Sequence, residues 1–84
     1  MHTLTFAESA VKELGALDQA LRVRIVEKIL LLAGDPRPAG CQKIQSASGL
    51  WRIHIGDYRV IYSVDDDQNV VDVVFIRHRS DAYR

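Results

Sequence analysis

The sequence of 84 residues has little of what marks several classes of protein. Its one cysteine, Cys41, excludes an internal disulfide and a cysteine-built zinc site, and a free thiol fits a reducing cytosol. Eleven basic and eleven acidic residues give a formal net charge of zero. This argues against coating nucleic acid by bulk charge but not against a local basic patch. The longest apolar run, residues 29–33, is too short to span a bilayer, and the first residues lack a signal-peptide pattern. We therefore expect a cytoplasmic protein that makes no membrane contact.

The patterns that are present indicate one α+β domain over residues 1–84. Residues 3–6 alternate polar with apolar, which predicts a short strand, and helical spacing follows over 8–17 and again from Asp18 to near Gly34. Asp18 is placed to cap the second helix. Segment 35–48 reads as a loop with a short edge segment at Lys43-Ile44, and strands are predicted at 51–55, 58–64 and 70–77. The order β-α-α-β-β-β predicts a helical hairpin packed on a small, mostly antiparallel sheet, with the first strand parallel to the last.

Turn lengths decide which side chains share a sheet face. A two-residue loop at Gly56-Asp57 would place His54 opposite Arg59, with Arg52 on the same face. A turn over 65–69 would pair Arg59 with Phe75 and bring Arg77 and Arg79 to that side. A slip of one residue would turn a strand's side chains to the other face. The predicted core face holds Trp51, Ile53, Ile55, Tyr58, Val60, Tyr62, Val64, Val74 and Ile76. The charged face would also retain Ile61, Val71, Val73 and Phe75, which need cover from the chain or from a partner.

Two motifs resemble those of the RelE/ParE superfamily of toxins. Segment 49–62 reads GLWRIHIGDYRVIY and resembles a hairpin of the form Y/W-R-I-x-x-G-x-Y-R-x-x-Y. Segment 74–83 reads VFIRHRSDAY and is similar to the closing pattern V-x-x-V-x-H/K-R-x-x-x-Y. Ala10, Lys12 and Leu14 match an Ala-x-Lys-x-Leu pattern in the first helix. The resemblance covers essentially the whole chain.

The resemblance implies a toxin of a type II toxin–antitoxin system with a RelE-like fold. RelE-like members cut mRNA in the ribosomal A site, whereas ParE-like members poison DNA gyrase. The expected function is therefore a ribosome-dependent mRNA endonuclease that inhibits translation. The expected partners are the ribosome, mRNA and a RelB-like antitoxin encoded adjacently. The implied catalytic residues are Arg52, His54, Arg59, Arg79 and Tyr83. Arg52 and His54 stand where two lysines are typical. We assign RNA contacts to Arg77, His78 and Lys43, and we expect no metal and no cofactor.

The chemistry of these residue types fits strand cleavage. A base must take the 2′-hydroxyl proton, cations must stabilise the crowded phosphate, and an acid must protonate the leaving 5′-oxygen. His54 is the candidate base, since its unperturbed pKa lies near neutrality and neighbouring arginines would lower it. Arg59 and Arg79 suit a phosphate because a guanidinium offers paired donors. Tyr83 is a candidate acid or stacking residue, and His78 a second proton carrier.

Plainer interpretations remain open for the same residues. His54 could be a solvated strand residue, and Arg59 could serve a structural ion pair. Tyr83 could serve docking, and Trp51 is expected in the core. At the level of the whole chain, the alternatives are a gyrase-poisoning toxin and an inactive relative that only binds the antitoxin.

Overall fold

The computed structural model describes residues 1–45 and 49–80. In these ranges the chain forms five strands and two helices. They are β1 (Thr3–Phe6), α1 (Glu8–Gly15), α2 (Gln19–Leu31), β2 (Gln42–Lys43), β3 (Leu50–Ile55), β4 (Tyr58–Asp65) and β5 (Val70–His78). The α+β class and the element order predicted from the sequence are confirmed, and the expected edge segment is Gln42–Lys43 rather than Lys43-Ile44. No helix within the described ranges has the length and apolar character to cross a bilayer.

The five strands form one sheet in the order β1-β5-β4-β3-β2. β1 pairs with β5 in the parallel sense, as expected, and the other pairs are antiparallel. Gly56 has a φ of +60°, which permits the tight turn that joins β3 to β4. That turn sets Ile55 opposite Tyr58 and His54 opposite Arg59. The predicted register of this hairpin is therefore correct.

The ends of α2 show how local chemistry sets its length. The Asp18 side chain accepts a hydrogen bond from the backbone N–H of Leu21 at 2.9 Å, which confirms the predicted N-cap. The α-helix ends at Leu31, three residues before the predicted end at Gly34. Ala33 and Gly34 donate to carbonyls three residues earlier, so the last turn tightens and the α-helical pattern stops.

The core lies between the two helices and one face of the sheet. Ala10, Ile25, Ile29 and Leu32 supply the helical side, and all are fully buried or nearly so. The sheet side consists of Ile53, Ile55, Val60, Tyr62, Val71, Val73 and Ile76. Trp51, Tyr58 and Val64 are partly buried and pack against this cluster. Trp51, which we expected in the core, therefore lies at its margin. The other face of the sheet lies away from this core.

The predicted pairing of β4 with β5 is wrong. Asp65, not Val64, lies opposite Val70, and a bulge between Ile61 and Tyr62 leaves Val74 without a direct partner on β4. Val71 and Val73, expected on the charged face, are therefore fully buried in the core, whereas Val74, expected in the core, is only partly buried. The one-residue shift at the turn moves Val71 and Val73 to the core face, and the bulge, which adds one residue to β5, returns the residues beyond it to their predicted faces.

Three distant segments meet beside the β4–β5 turn. Asp66 accepts from Arg37 at 2.9 Å and lies 3.2 Å from the ring nitrogen Nε2 of His2. The hydroxyl of the buried Tyr62 donates to the carbonyl of Pro36 at 2.8 Å. The Arg37 guanidinium also lies over the Trp51 ring, 5.1 Å from its centroid. These contacts fasten the loop after α2 and the N-terminus to the sheet.

Candidate functional site

Three basic side chains form one row across the sheet face opposite the core. His54 on β3 lies opposite Arg59 on β4, and Arg59 lies opposite Arg77 on β5. Directly opposite residues on neighbouring strands have Cβ atoms about 5 Å apart, so the three side chains are immediate neighbours. The sequence predicted the His54–Arg59 pair. It placed Phe75 rather than Arg77 opposite Arg59, and the one-residue shift at the β4–β5 turn together with the bulge explains that two-residue difference.

Arg52 joins this basic row two residues back along β3. Its Nε donates to the side-chain oxygen of Gln42 at 2.9 Å, and Gln42 is its partner across the β2–β3 ladder. Ile61 lies opposite Arg52 on the other side. The short strand β2 therefore orients one arginine of the row, through a residue that was not among the predicted site residues.

The pKa of His54 is lowered from its ordinary value. Partial desolvation of the ring is the main cause, followed by the positive charges of Arg59 and Arg52. The side chain is exposed, yet it also lines a cleft of about 220 Å³ with Leu31, Leu32, Pro38 and Ile53 among its walls. A lowered pKa keeps the imidazole neutral at pH 7, and the neutral form is the one that accepts a proton.

Arg59 is the buried member of the row. Only 8% of its surface is exposed, and within residues 1–45 and 49–80 it is the one charged residue in the buried class. A guanidinium in such surroundings acts through a lower effective dielectric than one in water. Its field on a nearby phosphate or imidazole is correspondingly stronger.

Arg77 is fixed by two neighbours. Its Nε donates to a carboxylate oxygen of Glu13 on α1 at 3.2 Å, and its guanidinium carbon lies 4.0 Å from the centroid of the Phe75 ring. The cation–π contact and the ion pair act on different parts of the same group. Ile61 and Phe75 lie opposite each other and keep an apolar strip on this face, as expected from the sequence.

The remaining predicted residues do not all join the row. The backbone N–H of Arg79 donates to the carbonyl of Asp57 at 2.7 Å, which places Arg79 just past β5 at the hairpin end. His78 lies opposite Tyr58, with their rings edge to face at 5.3 Å, so it belongs to the opposite face from Arg77. Lys43 lies opposite Trp51 and likewise falls on the other face. Tyr83 lies outside the described residues.

Two residues at the site were missed by sequence reasoning, Gln42 and Glu13. Gln42 adjoins the predicted edge segment, but pairing of a two-residue strand leaves no periodic signal to read. Glu13 lies four residues after Ser9, and this helical spacing is the one signal that could have marked a polar contact with the sheet.

Comparisons with known proteins agree on one family. A family model described as "ParE toxin of type II toxin-antitoxin system, parDE" matches residues 4–83. A protein named Toxin RelE from Mycobacterium tuberculosis is 31% identical over 77 residues, which are 90% of this chain and 79% of that protein. A chain of the intact E. coli RelBE toxin–antitoxin complex superposes with a TM-score of 0.81 at 27% identity, covering 93% of this chain and 96% of that one. A chain of the archaeal RelE–RelB complex from Pyrococcus horikoshii gives 0.81 at 29% identity, covering 93% and 94%.

Proposed function

The chain belongs to the RelE/ParE superfamily of toxins of type II toxin–antitoxin systems, and from that premise we propose that it is a ribosome-dependent mRNA endonuclease. One observation carries the proposal. His54, Arg59 and Arg77 form a single row, in which a histidine of lowered pKa adjoins a buried guanidinium. This combination provides a proton acceptor beside a binding site for a phosphate.

In the proposed reaction, neutral His54 takes the proton from a ribose 2′-hydroxyl. The 2′-oxygen attacks the adjacent phosphorus, so a new P–O2′ bond forms while the P–O5′ bond breaks. The leaving 5′-oxygen receives a proton from an acid, and we assign that role to Tyr83. The products are a 2′,3′-cyclic phosphate and a 5′-hydroxyl. His54 then loses a proton to water and Tyr83 regains one from water, so protons and bonds balance.

The arginines stabilise the transition state in this proposal. Charge grows on the non-bridging phosphate oxygens as the fifth oxygen approaches, and fixed guanidinium groups oppose it without reorganising. Arg59 supplies the central charge because it is buried between His54 and Arg77. Arg52 and Arg79 extend the positive surface to either side, and Arg77 contacts the RNA. His78 and Lys43 lie on the other face, so their RNA contacts would be with more distant parts of the strand or with ribosomal RNA.

We further propose that the partners are the ribosome with its mRNA and a RelB-like antitoxin encoded by the neighbouring gene, all in the cytoplasm. The two solved structures compared above are both toxin–antitoxin complexes. Ile61 and Phe75 give the charged face an apolar strip suited to cover by such a peptide.

Inducible expression tests the proposed function. Expression alone should stop growth, with pulse-labelled protein synthesis falling before DNA synthesis. The mRNA ends mapped after induction should cluster at fixed positions within codons. Arg59→Ala should remove these new ends and lower single-turnover cleavage on purified ribosomes by roughly 10²-fold or more. Lys12→Ala, which removes a charge from the exposed side of α1, serves as the control and should leave cleavage unchanged. Wild-type protein that leaves ribosome-bound mRNA intact would contradict the proposal.

The second candidate is a gyrase-poisoning toxin, and the matching family model, which is named for ParE toxins, favours it. In that case the basic row would bind without chemistry. DNA synthesis would then stop first, with gyrase-linked strand breaks and unchanged mRNA ends. An inactive relative that only binds the antitoxin would give neither effect.

A further inference from the structure

Strand β5 changes its partner halfway along its outer edge. β1 accompanies it only as far as the pair Phe6 and Val73, after which the chain turns into α1. Beyond that point two side chains of α1 bind the exposed edge. The Ser9 hydroxyl donates to the carbonyl of Val74 at 2.6 Å, and Glu13 Oε1 accepts from the backbone N–H of Ile76 at 2.9 Å.

The spacing of the two elements explains why this works. Four residues of helix rise about 6 Å, and two residues of strand rise about 6.6 Å. Ser9 and Glu13 therefore match Val74 and Ile76 step for step. Each satisfies a backbone group that would otherwise lack the partner a strand provides. This structural role is enough to explain the contact that Glu13 Oε1 makes.

The second oxygen of Glu13 needs another explanation. Glu13 Oε2 accepts from Arg77 Nε at 3.2 Å, with the two side chains 29% and 37% exposed. The first oxygen accepts from the backbone N–H of Ile76, the residue before Arg77, and this contact restrains the carboxylate. Glu13 therefore holds the arginine from a fixed position. The Phe75 ring lies against the guanidinium, 4.0 Å away. Arg77 is thus oriented with Nε engaged, and its terminal Nη1 and Nη2 atoms form the edge that can meet an RNA phosphate.

We propose that Glu13 is the positioning residue of the site: it holds Arg77 through Nε and so fixes where the terminal nitrogen atoms of the guanidinium can meet an RNA phosphate. This inference rests on the proposed function. Arginine has several freely rotating bonds, and restricting them before the substrate arrives removes an entropic cost from binding the transition state. A misplacement of about 1 Å at such a site can cost about 10²-fold in rate.

Glu13→Gln separates the two roles of the side chain. The amide keeps an oxygen that can accept from Ile76 N–H, but its NH₂ group replaces the oxygen that accepts from Arg77. Ser9→Ala is the matched control, since it removes the neighbouring contact to the same strand edge without touching Arg77. Both variants should melt within a few degrees of wild type. We expect Glu13→Gln to lower single-turnover cleavage on saturating ribosomes by about 10-fold or more, and Ser9→Ala to leave it unchanged.

A double-mutant cycle with Arg77→Ala shows whether Glu13 acts through Arg77. In the Arg77→Ala background, Glu13→Gln should have no further effect on the rate. An equal loss in both backgrounds would overturn the proposal, because Glu13 would then act on the fold alone. A Glu13→Gln protein that cleaves at the wild-type rate would also overturn it.

A readout independent of activity keeps this inference separate from the proposed function. In ¹⁵N-labelled protein the Arg77 Nε–H signal, assigned by its loss in Arg77→Ala, should be shifted and protected from exchange with water. In Glu13→Gln it should move to the position of a solvated arginine. An unchanged Nε–H signal refutes the positioning contact, whereas wild-type protein that fails to cleave mRNA refutes the proposed function instead.

Discussion

Arg59 and Arg77 lie directly opposite each other in the β4–β5 ladder. Like charges in this relationship destabilise a sheet, and Arg77 has an ion pair with the carboxylate of Glu13. Together with His54, the two arginines bring three basic side chains to one place on a chain whose net charge is zero. An anion that binds between the two guanidinium groups would relieve their repulsion.

Inorganic phosphate should raise the melting temperature above its value in chloride of equal ionic strength. A ligand that binds the folded state, present at about ten times its dissociation constant, stabilises it by about 1.4 kcal/mol, which is roughly 8 °C for a domain of this size. Thermal unfolding followed by fluorescence across a phosphate series measures the effect. The Arg77→Gln variant should lose the phosphate-dependent rise in melting temperature, and the Lys12→Gln variant should keep it. Equal increments in both variants would assign the effect to general ion stabilisation.

The sequence was sufficient to predict the helices and strands and the register of the β3–β4 hairpin. Hydrophobic periodicity located both helices, Asp18 identified the start of α2, and Gly56-Asp57 set the register that brings His54 to Arg59. These features are local, so a few neighbouring residues determine them. The parallel pairing of β1 with β5 is confirmed as well, although no local signal in the sequence determines it.

The sequence was insufficient where distant residues decide. The bulge at Val74 depends on how β5 is shared between β4, β1 and α1, and no residue of β5 marks it. The turn between β4 and β5 is one residue shorter than predicted, so Val71 and Val73 lie on the core face instead of the charged face. The bulge reverses this change, so Arg77 stays on the predicted face. Glu13 was missed for the same reason, since its partners lie more than sixty residues away.

Tyr62→Phe should lower the free energy of unfolding by about 1–2 kcal/mol. The ring would keep its place in the core, but the Pro36 carbonyl would lose its hydrogen bond from the hydroxyl. Burial raises the pKa of this phenol, so the hydroxyl stays a donor throughout the neutral range. Urea unfolding at pH 7 measures the change. An unchanged free energy would mean that water replaces the contact without cost and that the loop after α2 is not held by Tyr62.

Asp66→Asn should lower the melting temperature at pH 7 by a few degrees at most, because the ion pair with Arg37 is exposed. The hydrogen bond from Arg37, followed by that from His2, holds the pKa of Asp66 below its ordinary value. A carboxyl with a lowered folded-state pKa stabilises the protein above its unfolded pKa of about 4 and loses that contribution as pH falls through the folded value. The difference between variant and wild type should therefore shrink toward zero in acid. Asp67→Asn in the same turn is the control, and a difference that stays constant however far the pH falls would contradict the ion-pair explanation.

His54 should be the base that sets the acidic side of the pH–rate profile. A base must be neutral to act, so the cleavage rate should rise with pH through the pKa of His54 and then level off. Desolvation, with the charges of Arg59 and Arg52, lowers that pKa, so the plateau should already be reached at neutral pH. His54→Gln keeps the size and polarity of the side chain but cannot take up a proton in this range. It should slow single-turnover cleavage by roughly 10²-fold or more and flatten the acidic side of the profile.

Arg52→Gln gives a sharper version of the same experiment, because it leaves the imidazole in place and removes one of the charges that lower its pKa. The acidic limb should then move to higher pH, apart from any loss in the plateau rate caused by the missing charge. The competing explanation has the arginines acting by charge alone, with His54 contacting only RNA or the ribosome. In that case His54→Gln and wild type would share one acidic limb and differ only in affinity, and Arg52→Gln would lower the plateau without moving the limb. Rates measured on saturating ribosomes separate these outcomes, since affinity no longer contributes and only the protonation of the base can shift the limb.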